Sequence, residues 1–473
     1  MTNTIVIDPV TRIEGHSRIT IYLDEQGEVR DAHFHVTQLR GFEKMCEGRP
    51  FTEMPALMAR ICGICPVSHL VASAKACDAL MAVQIPRAGA NLRRVINLAQ
   101  LVQSHALAFF HLAAPDFLMG MDGDPARRNI VGMLGVRPDL ARDGVRLRQF
   151  GQQIIEWIGG KRVHPPNIVP GGMSQPLTAE VRDRILDGVP EMLALTERAL
   201  HWFVEQTARF SEEVRHFGSF PTMFLGLVGP DGNLEHYDGR LRIMSSEGAI
   251  IGDQLNPAQY FDYIGEAVEP YSYLKFPYYK PLGYPVGTYR VGPLARLNLA
   301  ARCGTPRADR ARAAFRQKEG VLRSSFYYHE ARLIEILYGL EMIQQLLEDP
   351  VTSNEHVRAF AGPNSLEGVG VSEAPRGTLI HHYKIDPDGL IQWANLIIAT
   401  GHNNLAMNQS VQQVAKHFVK SKALTEGMLN RVEAVIRAYD PCLSCSTHAV
   451  GQMALRVDLR GPDGELLDTA ARG

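Results

Sequence analysis

The feature that most constrains the fold of this chain is a pair of Cys-x-x-Cys motifs that lie far apart in the sequence. Cys62 and Cys65 form the first pair, and Cys442 and Cys445 form the second, near the end of the 473 residues. A structural zinc ribbon usually keeps its two pairs about 15 to 20 residues apart. Here most of the chain must fold before the four thiols can meet. The spacing therefore indicates a buried centre that is assembled late, which is more typical of a catalytic site than of a local structural metal site.

Four thiolates are soft ligands, which select zinc, copper(I), iron–sulfur clusters, or nickel and iron. A zinc protein with four thiolate ligands therefore stays open at this point. A thioredoxin-type redox pair needs a βαβ context, and neither pair has one. The remaining cysteines have no spaced partners and are predicted to be small buried residues, Cys46, Cys77 and Cys303.

Composition excludes several other classes of protein. Lys plus Arg number 49 against 51 for Asp plus Glu, so there is no basic excess to bind a nucleic-acid backbone. The first residues lack the basic and apolar regions of a secretory signal, and no apolar run reaches the roughly 18 residues of a membrane span. We expect a cytoplasmic chain with reduced thiols and no membrane span, since an odd count of seven cysteines argues against a disulfide framework.

Hydrophobic periodicity predicts a mainly α fold with small β additions (α+β), built on a large helical bundle core. A small N-terminal antiparallel sheet is expected at about 3–37, a short β insert at about 228–248, and an ordered non-regular loop at 271–298. Pro190 is expected to break or kink the helical segment predicted at 178–217. The helices are predicted near residues 88–113, 137–158, 178–217, 306–348, 388–400 and 409–438.

The motifs resemble those of the large subunit of nickel–iron hydrogenases, and the likeness runs essentially from end to end. It is carried by Arg12-Ile-Glu14-Gly-His16, Arg40-Gly-Phe-Glu43, Arg60-Ile-Cys62-Gly-Ile-Cys65-Pro66, Pro375-Arg376-Gly377 and Asp440-Pro-Cys442-Leu-Ser-Cys445-Ser-Thr-His448. A finer likeness, to the cytoplasmic bidirectional NAD-reducing type, rests on residues 38–43, 289–296 and 401–408.

The resemblance implies a nickel–iron centre on the four motif cysteines. Cys62 and Cys442 would be terminal nickel ligands, whereas Cys65 and Cys445 would bridge nickel to an iron that carries carbon monoxide and two cyanides. H2 would be split heterolytically and reversibly there, with the proton passing to a thiolate or a nearby base. Four anionic sulfurs suit this chemistry, because the metals lower the proton affinity of the hydrogen and a thiolate can accept the proton.

Further roles follow from the same resemblance. Glu14 would be the first proton-relay carboxylate, and Glu43 and His448 would bind a magnesium ion. Arg376 would lie over the open face of the metals with Asp440 beside it. His69 lies one helical turn after Cys65, so it would hydrogen-bond that bridging sulfur. It is therefore a further candidate residue of the catalytic site.

The residues by themselves also allow plainer interpretations. Glu14 would form a salt bridge to Arg12 or Arg60, Arg376 would form a core ion pair, and His69 would be an ordinary core histidine. His381-His382 is predicted to be structural rather than a ligand pair.

Two features of the sequence limit what can be carried over. Many family members have His-Asp-His where this chain has Gln103-Ser104-His105, so a carboxylate of the active-site canopy is absent. No G-x-G-x-x-G follows a strand, so we do not expect this chain to bind NAD itself. We also expect no iron–sulfur cluster on this chain.

The resemblance also implies partners. These are an iron–sulfur small subunit, a flavin and iron–sulfur module that reduces NAD+, nickel-insertion factors and a maturation endopeptidase. The endopeptidase would remove residues 449–473 after His448, leaving one domain, residues 1–448. Coupling to NADP or ferredoxin is the related alternative. A non-enzymatic relative, such as the hydrogenase-like subunit of respiratory complex I, is disfavoured because all four motif cysteines are present.

Overall fold

The computed structural model describes residues 4–420, 424–447 and 455–472. The predicted magnesium ligand His448 and the predicted cleavage site after it lie outside these ranges. Among the described residues, none of the helices combines the length and apolar character that a bilayer crossing requires.

The chain begins with the predicted three-stranded antiparallel sheet. Its strands are β1 (Thr4–Ile7), β2 (Ser17–Leu23) and β3 (Val29–Val36), with β2 in the centre. Asp24 closes the β2–β3 hairpin, because its Oδ1 accepts the backbone N–H groups of Gln26 and Glu28. The sheet prediction is confirmed, and the β1–β2 connection carries Glu14.

Helices make up most of the remaining fold. The described residues contain sixteen α-helices: α1 (Phe42–Cys46), α2 (Met54–Met58), α3 (Pro66–Met81), α4 (Arg87–Ala106), α5 (Ala114–Met119), α6 (Ile130–Val136), α7 (Pro138–Gly159), α8 (Ala179–Thr207), α9 (Ser211–His216), α10 (Pro293–Leu299), α11 (Pro306–Arg316), α12 (Tyr328–Glu348), α13 (Ala399–His402), α14 (Asn404–Phe418), α15 (Glu426–Tyr439) and α16 (Leu443–Ser446).

Helices α4, α7, α8 and α12 form the predicted bundle core by packing against one another. All of α4 is buried except Arg87, Ala90 and Arg94, so it is the central helix of the bundle. It continues as a π-helical turn over Leu107–Ala113, in agreement with the long helix predicted at 88–113.

Small sheets surround the bundle. Their strands are β4 (Ile168–Val169), β5 (Gly172–Met173), β6 (Met223–Val228), β7 (Arg240–Met244), β8 (Ile250–Leu255), β9 (Ile264–Ala267), β10 (Phe276–Tyr279), β11 (Tyr289–Arg290), β12 (Glu367–Ala374), β13 (Gly377–Ile385), β14 (Ile391–Ile397), β15 (Leu455–Arg460) and β16 (Leu466–Arg472). Strand β11 lies parallel to β6 in a four-stranded sheet of order β11-β6-β7-β8, and β12, β13 and β14 form an antiparallel sheet in that order. The remaining strands pair two by two, as β4–β5, β9–β10 and β15–β16. The sheet insert predicted near 228–248 is thereby confirmed.

One predicted helix is wrong, because residues 391–397 form strand β14 rather than part of a helix at 388–400. The turn at Asp386–Gly389 joins β13 to β14, and the side chains of Gln392 and Trp393 are exposed while Ile391 and Leu396 are buried. A short apolar run fits both the helical and the strand period, and pairing with β13 makes this segment a strand.

Other boundaries also differ from the predictions. Segments 306–348 and 409–438 are each two helices, and 271–298 contains short regular elements, namely β10, β11 and α10. Helix α8 runs through Pro190 without a break. The proline forfeits one backbone hydrogen bond, and the burial of Val189, Met192 and Leu193 on both sides of it keeps the helix together.

The two ends of the chain meet beside the bundle. Glu14 forms a parallel β-bridge with Cys442, and the backbone N–H of Leu443 donates to the carbonyl of Glu14 at 3.1 Å. Gly15 makes this approach sterically feasible. Its φ is +90°, and an added Cβ would lie 2.7 Å from Cβ of Leu443.

We therefore predict that Gly15→Ala destabilises the protein by about 1 to 3 kcal/mol, because a methyl group has no space between the two chain ends. Chemical denaturation of the purified chain measures the change in the free energy of unfolding. Gly362→Ala is the matched control, since Gly362 has open space around its Cα and no positive φ. Equal stability of the two variants would contradict the proposed tight contact.

Candidate metal centre

The structure brings the four motif cysteines together, as their pairing in the sequence predicts. The Sγ atoms of Cys62 and Cys442 lie 3.4 Å apart, those of Cys65 and Cys445 lie 3.9 Å apart, and those of Cys442 and Cys445 lie 2.7 Å apart. All four sulfurs lie within 4.8 Å of one another, and each residue is at most 5% exposed. The fold thus builds one compact group of sulfur ligands from both ends of the chain.

Hydrogen bonds from the bundle hold the first pair in place. The side-chain amides of Gln100 and Gln103, on α4, both donate to the carbonyl of Ile64 at 2.7 Å. In the same loop, the backbone N–H groups of Ile64 and Cys65 donate to Sγ of Cys62 at 3.2 Å. These bonds turn the loop so that both sulfurs face the second pair.

The second pair is presented by a sharp turn after α15. Asp440 ends that helix in the left-handed region with φ of +53°, which Asp tolerates better than most residues. Cys442 follows, and its backbone N–H donates to Oγ1 of Thr400 at 3.0 Å. Cys445 then lies in the single turn of α16.

The sulfur group fits soft metal ions. Hydrogen bonds from Cys442, Cys445 and Cys62 lower the pKa of Cys65 well below its usual value, whereas burial raises the pKa of Cys442 and of Cys445. Burial therefore disfavours several neighbouring thiolates in the protein alone. Divalent metal ions would supply the positive charge that several buried thiolates need, and sulfur donors suit nickel and iron.

A small cavity of about 10 Å³, roughly the space of one water molecule, borders the sulfurs and is lined by Arg376. The guanidinium is buried and pairs with Asp440, with Nη2 at 3.1 Å from the carboxylate and Nε donating to the Asp440 carbonyl at 2.5 Å. Burial raises the pKa of Asp440, and the charge of Arg376 opposes that rise. Arg376 thus forms the core ion pair of the plainer interpretation and also faces the cavity.

Ser104 lies beside this ion pair, where many members of the resembled family carry an Asp. Its Oγ accepts a hydrogen bond from Nη1 of Arg376 at 3.4 Å. Arg376 therefore has one carboxylate partner here, Asp440, and a hydroxyl in place of a second one.

Glu14 lies against the second cysteine pair. Its Oε2 accepts the backbone N–H of Ser444 at 3.1 Å, and its Oε1 accepts the Ser444 hydroxyl. The salt bridges of the plainer interpretation do not form, because Arg12 pairs with Asp116 and Arg60 approaches His164. The carboxylate is half-buried beside the residue between Cys442 and Cys445.

His69 contacts the first pair from α3. It hydrogen-bonds Cys65, and its Nδ1 lies 3.2 Å from Nε2 of His381. His382 lies on the opposite side of β13, where it bonds Glu367 and Tyr260. His381 and His382 are therefore not a ligand pair, as predicted.

The predicted magnesium ligand Glu43 lies away from the sulfurs, on α1. Its Oε1 accepts the backbone N–H of Leu396 at 2.9 Å and lies 3.7 Å from Nζ of Lys275. A carboxylate oxygen is a hard ligand that suits magnesium. The second predicted ligand, His448, lies outside the described residues.

A second group of ligand-type side chains lies on the surface between α9 and α14: Glu212, His216 and His417. The two imidazole rings stack at 3.5 Å with an angle of 14° between their planes. Their in-plane lone pairs therefore run nearly parallel and do not converge on one ion. Ring stacking and ion pairing with Glu212 account for this cluster.

Sequence patterns missed several residues that shape the centre. Thr400, Gln100 and Ser444 carry no motif signal, and Thr400 lies in α13, just after the strand that the sequence did not predict. Only their positions in the folded chain show that they hold the two cysteine pairs.

Comparison with known proteins agrees with this geometry. Residues 40–126 and 244–448 match the nickel-dependent hydrogenase family model, and residues 4–39 match the model described as HoxL-like. The chain is 42% identical to the NAD-reducing hydrogenase HoxS subunit beta of Cupriavidus necator, with 100% of both chains covered. It is 43% identical to a vhu subunit of the F420-non-reducing hydrogenase of Methanocaldococcus jannaschii, covering 88% of this chain and 99% of that protein.

A solved structure shares the fold closely. The crystal structure of an NAD+-reducing nickel–iron hydrogenase in its H2-reduced state superposes with a TM-score of 0.92 at 46% identity, covering 94% of this chain and 100% of that chain. Because the family model spans more than half of the sequence and relatives above 40% identity align along nearly all of it, the chain belongs to the nickel-dependent hydrogenase family, as a large subunit of the nickel–iron type.

Proposed function

We propose that this chain is the catalytic subunit of a hydrogenase that reversibly converts H2 to protons and electrons and passes the electrons to NAD+. The observation that carries the proposal is the group of four buried sulfurs within 4.8 Å, in a chain that aligns end to end with a subunit of an NAD-reducing hydrogenase.

The four cysteines would hold the metals in two roles. Cys62 and Cys442 are proposed as terminal nickel ligands, and Cys65 and Cys445 as ligands shared with an iron that also carries carbon monoxide and two cyanides. When bound, this centre supplies the heterolytic cleavage of H2. The protein's part is to bury the sulfurs, exclude water and provide groups that accept the proton.

Glu14 is proposed as the first of those proton acceptors. Its backbone pairs with Cys442, and its carboxylate bonds Ser444, so it lies against the segment that carries the second cysteine pair. Its partial exposure supports the proposal, because a relay group needs access to groups outside the centre. A carboxylate can exchange a proton over hydrogen-bond distance.

Arg376 is proposed to orient polar species in the cavity above the sulfurs. Its two bonds to Asp440 and one to Ser104 hold the planar guanidinium in one orientation. A fixed cation stabilises developing negative charge better than a mobile one, because it needs no reorganisation.

The electrons are proposed to leave through an iron–sulfur small subunit to a flavin and iron–sulfur module, where NAD+ is reduced in the cytoplasm. The relative from Cupriavidus necator and the solved NAD+-reducing enzyme favour NAD+ over NADP or ferredoxin. We also propose that nickel-insertion factors load the site, that an endopeptidase then removes residues 449–473, and that Glu43 and the new C-terminal His448 bind magnesium.

Acceptor assays on the purified complex test this function. We expect H2-dependent reduction of NAD+ to exceed that of NADP+ and of ferredoxin, and Cys442→Ser to abolish it with loss of nickel, because a hydroxyl is a hard and poorly ionised ligand. Cys77→Ser is the matched control, since its buried sulfur bonds only non-metal partners, the carbonyl of Phe51 and the hydroxyl of Ser73, and a hydroxyl can make the same bonds. Faster reduction of ferredoxin than of NAD+ would contradict the proposed acceptor, and an active Cys442→Ser complex would contradict the proposed ligand.

The proton relay gives a second expected result. Glu14→Gln should keep nickel and iron but slow H2/D2O exchange about 10²- to 10⁴-fold, because an amide cannot relay a proton. Mass spectrometry of the exchanged gas measures this rate. Glu433→Gln serves as the control, since that carboxylate also binds a backbone N–H near the N-terminus, at Thr11. Normal exchange in Glu14→Gln would remove Glu14 from the pathway.

Processing of the C-terminus gives a third expected result. The described side chains of β15 and β16 from residue 459 onward are half-buried or exposed, so the hairpin adds little to the core. We expect the large subunit of active enzyme to end at His448, which intact-mass spectrometry measures directly. A fully active subunit that still ends at Gly473 would show that removal of the extension is not required.

A further inference from the structure

A row of buried side chains leads away from the cysteine centre on the side of α3. Nδ1 of His69 lies 3.2 Å from Nε2 of His381, and Nδ1 of His381 lies 2.7 Å from Oη of Tyr383. The Tyr383 hydroxyl then donates to Oγ of Ser73 at 2.9 Å. None of these four residues is more than 1% exposed.

The row follows from the repeats of one helix and one strand. Cys65, His69 and Ser73 are spaced four residues apart and lie on one face of α3 and its N-cap. His381 and Tyr383 are two residues apart and share one face of β13, which packs against α3. Their side chains therefore meet along a single helix–sheet interface that begins at a centre ligand.

These hydrogen bonds fix the orientation of both imidazole rings. Because the Tyr383 hydroxyl donates to Ser73, its oxygen accepts from Nδ1 of His381. Nε2 of His381 then faces Nδ1 of His69, and the opposite edge of the His69 ring, which carries Nε2, is left for Cys65.

We infer that His381 and Tyr383 are positioning residues that fix the ring orientation of His69 against the sulfur of Cys65. The inference rests on the proposed function in one respect, namely that Cys65 is a metal ligand. Groups that orient the neighbours of a metal site tune the ligands through those neighbours.

The alternative role for such a row, a route for protons to solvent, does not fit its far end. Ser73 hydrogen-bonds Cys77, whose Sγ donates to the backbone carbonyl of Phe51. Both Ser73 and Cys77 are fully buried. The row ends on a carbonyl inside the protein, which suits orientation rather than proton release.

Three variants separate orientation from general disruption. His381→Leu removes both hydrogen bonds. His381→Gln can keep both, because its amide oxygen can accept from His69 and its amide nitrogen can donate to Tyr383. His382→Leu is the matched control, since it removes a buried histidine from the next position of the same strand, on the opposite face.

The first readout is the ordering of the His69 ring in the full-length chain labelled with 15N-histidine. The His69 signals are assigned by their disappearance in His69→Asn. We expect one set of ring 15N signals for His69 in the wild type, His381→Gln and His382→Leu, and shifted or split signals in His381→Leu, because the ring then loses its partner at Nδ1. Unchanged His69 signals in His381→Leu would overturn the inference.

The second readout is steady-state H2 oxidation by the assembled complex at measured nickel content. We expect His381→Leu to lower kcat about 10- to 100-fold with little change in KM, and His381→Gln and His382→Leu to stay near the wild type. Equal losses in His381→Leu and His382→Leu would show a merely structural role and overturn the inference. If the wild-type complex does not oxidise H2, the proposed function fails, while the 15N-histidine spectra still decide whether His381 orients His69.

Discussion

The metal centre depends on one contact, the docking of the N-terminal connection against the C-terminal cysteine motif. Glu14 bonds the backbone of residues 442–444 through its own backbone and its carboxylate, and Gly15 lets the two segments approach. This contact holds the segment of the second thiol pair beside the N-terminal connection. Because the contact joins residues more than 400 positions apart, the centre forms only in the completed fold.

Charge balance then explains the surroundings of the sulfurs. Burial disfavours several thiolates in one place, and the pKa values of Cys442 and Cys445 are raised accordingly. Arg376 supplies one positive charge, but Asp440 already pairs with it. Metal ions would balance the remaining thiolates, so loading of the centre and closure of the chain ends are expected to stabilise each other.

The sequence predicted the two cysteine pairs from their residue type and spacing, whereas the importance of Glu14 came from the family resemblance. It also predicted the N-terminal sheet and the helical bundle, since their periodicities are long and regular. It did not predict β14, because a short apolar run does not reveal its pairing partner. Nor did it predict the bonds of Thr400 or of His381, which depend on contacts between residues distant in the sequence.

The most direct test of the central claim is infrared absorption of the purified complex in the carbon monoxide and cyanide stretching region, combined with elemental analysis. If the four cysteines hold a nickel–iron centre with these ligands, nickel and iron are present and the bands appear. In the Cys442→Ser complex, the same account predicts that nickel is lost. Zinc bound to the four cysteines, without nickel and without these bands, would contradict the account and support a structural four-thiolate site.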